Sequence, residues 1–116
     1  MQAALGNYTY SLFTLDYFLN AMRRMGIRYI ELWGAAPHFH LDDRSPADAA
    51  SLGRRIRSLG LEIICFTPEQ CAYPINIASE DTTLRKRSIA FFERAIEYAP
   101  LLGAPAVLVT PGRGSL

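Results

Sequence analysis

Met25-Gly26-Ile27-Arg28-Tyr29-Ile30-Glu31-Leu32-Trp33 joins an apolar residue and a glycine to a short apolar run, and the chain repeats this phrase three times. It returns as Leu59-Gly60-Leu61-Glu62-Ile63-Ile64-Cys65-Phe66-Thr67 and as Leu102-Gly103-Ala104-Pro105-Ala106-Val107-Leu108-Val109-Thr110. Glycine just past a helix end takes the left-handed conformation that other side chains resist. The β-branched and aromatic residues that follow it read as a strand. Each copy is therefore a helix end, a turn and a strand.

A helical pattern precedes every copy. Leu15, Phe18, Leu19, Met22 and Met25 recur at spacings of three and four behind Thr14, a candidate N-cap. Ser45-Pro46-Ala47-Asp48 supplies a cap, a proline at N1 and an acid facing the positive helix end, ahead of Ala49, Leu52, Ile56 and Leu59. A third helix begins after Asp81-Thr82-Thr83 and carries Ile89, Phe92, Ile96 and Ala99, with Pro100 expected to kink it or end it a turn early. Gln2 to Tyr8 reads as the first strand. The order is β-α-β-α-β-α-β, and helices between successive strands impose a parallel sheet with right-handed crossovers.

Alternation along the strands sorts the side chains. Ile30, Leu32, Ile64, Phe66, Val107 and Val109 are expected to face the helices. Tyr29, Glu31, Trp33, Ile63, Cys65, Thr67, Ala106, Leu108 and Thr110 share the other face. An open flavodoxin-like sheet would put helices on both faces, whereas a (β/α)8 barrel keeps them outside. Barrels need about 250 residues. Both architectures stay open on this pattern; the 116 residues here make a single partial domain, 1–116, with four strands and three helices, and if it is a barrel it is roughly the first half. Such a sheet exposes an edge and an apolar face, so a truncated chain or one that pairs with a second copy is expected.

Composition excludes several classes. Twelve Lys plus Arg against eleven Asp plus Glu give a net charge of +1, with Lys86 the lone lysine, and bulk charge makes no case for nucleic acid or an anionic membrane. No apolar run approaches the roughly 20 residues of a membrane span. Met1 to Tyr10 lacks the basic and apolar segments of a secretory signal. Cys65 and Cys71 read as free thiols, and a cytoplasmic location is the expectation.

Four motifs in order then carry a resemblance: Ile30-Glu31-Leu32-Trp33-Gly34, Pro37-His38, Thr67-Pro68-Glu69 and Tyr73-Pro74, followed by Arg85-Lys86-Arg87-Ser88. The sequence resembles the sugar phosphate isomerase/epimerase family of xylose isomerase-like barrels, over its first half only. The resemblance implies a metal-dependent epimerase that moves a proton beside a ketose or fructosamine carbonyl. It also implies a divalent metal held by two Glu, an Asp and a His on later strands. Those ligands are absent from this chain, so the 116 residues alone are expected to be inactive and to supply pocket residues.

Glu31 is the sharpest of these, because a carboxylate near the C-terminal end of a parallel strand sits where barrels gather their chemistry. A structural glutamate bonded to a neighbouring loop is the plain alternative. His38, Glu69, Tyr8 and Tyr73 are the other candidate substrate-binding residues, set against a Glu69 in solvent beside a turn stiffened by Pro68 and Pro74. His38, His40, Asp42 and Asp43 have the types of a metal cluster, but they lie in a loop, and His40 reads as solvated. Trp33 reads as packing at the barrel mouth rather than as a sugar platform. Pro111-Gly112-Arg113-Gly114-Ser115 lacks phosphate-loop spacing and a following helix. Two rivals remain: a half-barrel that binds carbohydrate or itself without catalysis, and a DNA hydrolase of the apurinic endonuclease type, disfavoured by the acidic strand-end loops.

Overall fold

The computed structural model describes residues 3–70 and 74–112. Strand β1 (Ala4–Gly6) leads through a 3-10 turn (Asn7–Tyr10) to helix α1 (Leu15–Arg24), and β2 (Tyr29–Gly34) is followed by a second 3-10 turn (Leu41–Asp43) and α2 (Pro46–Ser58). Strand β3 (Glu62–Pro68) precedes α3 (Thr82–Leu102). The strands form one parallel sheet in the order β1-β2-β3. Alternation of strand and helix, with the three helices sharing one core on one face of the sheet, makes this half of a (β/α)8 barrel.

Local chemistry sets the element ends. The Thr14 hydroxyl accepts from the Tyr17 N–H, and Ser45 and Asp48 form a reciprocal capping box with Pro46 at N1. Asp81 caps α3 by accepting from the Thr83 and Leu84 N–H groups. The three glycines of the repeat all lie in the left-handed region, Gly26 at φ 70°, Gly60 at 76° and Gly103 at 81°. The repeated phrase is thus a repeated helix terminus.

The core lies on one face of the sheet. Ile30 and Leu32 are fully buried and join Phe18 and Met22 of α1, Ile56 of α2 and Phe92 and Ala95 of α3 in one cluster. Full burial of such aliphatic side chains contributes roughly 1.5–3 kcal/mol each. Tyr29, Glu31 and Trp33, which alternate with them, stay half-buried on the opposite face.

Five details depart from the sequence reading. The first strand is shorter, because the chain turns at Asn7 into the 3-10 turn that runs to Tyr10. Ile63 faces the core at 3% exposure while Ile64 is 40% exposed, the reverse of strict alternation. The register explains it: Ile30 pairs with Ile63 but Glu31 with Cys65, so Ile64 is the extra residue of a bulge. The fourth strand is reduced among the described residues to a bridge between Phe66 and Val107, in which the Phe66 N–H donates to the Ala106 carbonyl and the Leu108 N–H to that of Phe66. Helix α3 passes through Pro100 to Leu102, because a proline in the last turn removes one donor while buried Ala99 and Leu102 hold the turn to the core. Finally, Ile89 and Ile96 are exposed, because α3 buries a face centred on Phe91, Ala95 and Tyr98 instead.

Candidate functional site

The C-terminal ends of β2 and β3 bring Glu31, Trp33, Cys65 and Thr67 to the half-buried face of the sheet. The bulge at Ile64 sets Glu31 opposite Cys65 and Trp33 opposite Thr67. The Thr67 hydroxyl donates to a Glu31 carboxylate oxygen at 2.5 Å, and the Cys65 sulfur lies 3.8 Å from the same hydroxyl. Thr67 thereby satisfies one oxygen of a carboxylate whose full burial would be costly without partners.

Tyr8 stands above this row at 67% exposure, its ring meeting Trp33 edge-on with centroids 4.9 Å apart. Trp33 is half-buried and packs against the Tyr8 ring. Glu69, at the end of β3, is 2% exposed and has interactions of its own, which replaces the solvated alternative with a buried carboxylate. Tyr73 lies outside the described residues, as do Cys71 and the Arg113-Gly114-Ser115 end of the glycine-containing tail.

His38 is 5% exposed, and both ring nitrogens are engaged: Nδ1 lies 2.7 Å from Asn7 Nδ2 and Nε2 lies 2.8 Å from the Phe13 carbonyl. His40 is 9% exposed rather than solvated, because it packs toward the Phe91 ring at 6.3 Å and stands 3.9 Å from Asp43. Asp42 pairs with Arg94 of α3. His38 and Asp42 therefore turn to partners outside the candidate metal cluster, and His40 and Asp43 face each other. Among the described residues, no group of three or more His, Cys, Asp or Glu is placed to hold a metal. A groove of about 620 Å³, lined in part by His40, Asp42, Arg87, Phe91 and Arg94, lies beside α3, away from the Glu31 row.

Two residues of the strand-end region escaped the sequence reading. Asn7 is fully buried beneath Tyr8 and bonds to Trp33 and His38. Gln70 donates to the Leu108 carbonyl at 3.2 Å and accepts from the Thr110 N–H at 2.6 Å, clipping the fourth extended run to the end of β3. Asn after a strand reads as a turn former and Gln beside Glu69 as a loop residue, so neither carried a signal.

A half-barrel of parallel βα units with polar residues gathered at the strand ends defines the class. The sequence profile of the xylose isomerase-like TIM barrel family matches residues 19–115, and the chain belongs to that family. Fructoselysine 3-epimerase of Shigella flexneri is 28% identical over 96 residues, 83% of this chain and 35% of that protein. The fructoselysine 3-epimerase of Escherichia coli O157:H7 is 27% identical over the same share. The chain thus spans about a third of the length of the curated relatives it matches. Among solved structures, D-psicose 3-epimerase in the presence of D-fructose superposes with a TM-score of 0.71 at 20% identity, covering 92% of this chain and 36% of the other. L-ribulose 3-epimerase gives 0.69 at 21% identity, covering 98% and 37%. These two curated relatives and two solved structures are sugar epimerases by name. Among the described residues, no helix is long and apolar enough to cross a membrane.

Proposed function

We propose that this chain is the substrate-lining N-terminal half of a cytoplasmic sugar epimerase acting on a ketose or fructosamine. The observation that carries this reading is the Glu31–Thr67 pair on the open face of the sheet, at the end where barrel enzymes place their chemistry. Glu31 accepts from a sugar hydroxyl through the oxygen Thr67 leaves available. Tyr8 and Trp33 offer the apolar edge against which a sugar ring packs. Glu69 follows the same strand end, Tyr73 lies four residues further along the sequence as another candidate for the sugar, and His38 is tied to that region through Asn7. The reaction class is proton removal beside a carbonyl and its return to the opposite face, which takes two positioned acid/base groups. In the family this chemistry goes with a divalent metal, whose ligands lie on strands other than these. The isolated chain is accordingly inactive and contributes binding and orientation.

The test follows exchange of the ketose C3 proton with solvent deuterium by NMR. The 116-residue chain alone is expected to give no exchange. Joined to the C-terminal half of a matched epimerase it is expected to give exchange that Glu31→Gln lowers about tenfold, the effect of losing one charge-assisted hydrogen bond. Exchange that is indifferent to Glu31→Gln would remove this residue from the site. A second reading, a carbohydrate-binding half-barrel without catalysis, is favoured by the missing metal set among the described residues. It predicts sugar binding with no exchange in either form.

A further inference from the structure

Asn7 occupies the point where β1 stops. Gly6 pairs with Glu31, and beyond it the backbone leaves the sheet for the 3-10 turn, so Trp33 loses its main-chain partner on that side. The Asn7 side chain takes the partner's place: its Oδ1 accepts from the Trp33 N–H at 2.6 Å and its Nδ2 donates to the Trp33 carbonyl at 3.1 Å. An amide side chain thus continues the ladder by one step.

The same network fixes the state of His38. The Trp33 N–H can only donate, so the amide atom facing it is the oxygen, and Nδ2 faces His38 Nδ1 at 2.7 Å. Nδ1 must then accept. At the far side of the ring the Phe13 carbonyl can only accept, so Nε2 carries the proton and donates at 2.8 Å. Both ends of the network require the same neutral tautomer.

We infer that Asn7 is a positioning residue that locks His38 as the Nε2–H tautomer and holds Trp33, and through it Tyr8, in place at the rim. The link to sugar rests on the proposed function above, whereas the strut itself does not. Asn7 ties the end of β1 to β2 and, through His38, to Phe13 ahead of α1. The end of β1, the end of β2 and the loop of His38 are joined by one buried amide with both donors and its acceptor engaged.

The experiment is 15N NMR of the His38 ring in the whole chain at neutral pH, with Trp33 emission as the second readout. The wild-type ring is expected to show a bare Nδ1 and a protonated Nε2 as a single form. A wild-type ring with its proton on Nδ1, or averaging between two tautomers, overturns the inference without any variant. Asn7→Asp puts an acceptor where the amide donates, and a proton is expected on Nδ1; an unchanged pattern overturns the assignment. In Asn7→Ala the ring is expected to average and the Trp33 emission to move to longer wavelength before any sugar is added. Emission that stays put in a folded Asn7→Ala chain overturns the positioning role. D-fructose affinity read at Trp33 is expected to fall about tenfold in that variant. If wild type binds no ketose while the ring and emission results hold, the sugar reading fails and the strut stands.

Discussion

Glu31 is tied to its neighbour by a single short bond, and that bond makes the residue testable. Replacing Thr67 with Val keeps the shape and removes the donor at 2.5 Å. For a half-buried carboxylate this costs about 1 kcal/mol, read as a lower midpoint in urea unfolding. No loss would mean that solvent serves Glu31 as well as Thr67 does. The position of Glu31 was legible because strand-end carboxylates stand out in a repeat. Its partner was legible only as a face, since the bulge that decides which residue sits opposite which leaves no mark in the apolar pattern of Ile63-Ile64-Cys65. Asn7 was hidden for a different reason: burial of a polar side chain depends on what surrounds it, and its partners Trp33 and His38 lie 26 and 31 residues away.

Elements with chemical start and stop signals were read with little error. Ser45-Pro46-Ala47-Asp48 starts α2 by a capping box, and Gly26, Gly60 and Gly103 end three helices by the same backbone conformation. Ser45→Ala is expected to lower stability by about 1 kcal/mol in thermal or denaturant unfolding. The Asp48 carboxylate, held below its ordinary range first by the Ser45 backbone N–H and then by its hydroxyl, contributes stability above the unfolded-state value. That contribution is lost as pH falls through the depressed folded-state value. Asp48→Asn is therefore less stable at neutral pH, and its difference from wild type closes in acid, as stability curves across pH will show. Gly53 concerns packing rather than capping. A Cβ there would stand 2.5 Å from the Leu101 carbonyl oxygen and 2.7 Å from that of Leu102, both backbone atoms. Gly53→Ala is expected to cost about 1–3 kcal/mol by forcing α2 from α3, despite alanine's better helix propensity. Equal or greater stability would show that the two helices adjust freely. What the pattern could not supply was the fate of Val107-Leu108-Val109, since a strand-like run becomes a strand only when a ladder is there to accept it.

At the scale of the whole molecule, the three helices share one core on one side of a parallel sheet, and the residues of the other side remain partly open. That one-sidedness separates a barrel arc from a doubly wound sheet, a choice that the repeat order alone leaves open. Exposed apolar residues also flank the layers, among them Leu12 at 95% and Ile96 at 58%. Which copies or segments meet these flanks lies beyond a pattern of 116 residues, because the exposed stripe of a helix reads the same as a buried one until its neighbours are known. The open face has a built-in reporter, as Trp33 is the only tryptophan and stands beside Tyr8. Titrating D-fructose into the chain while following Trp33 emission, with wild type and Glu31→Gln in parallel, tests the central claim most directly. A saturable change in wild type that is weakened about tenfold in the variant is predicted; an unchanged emission, or the same curve from both proteins, would contradict it.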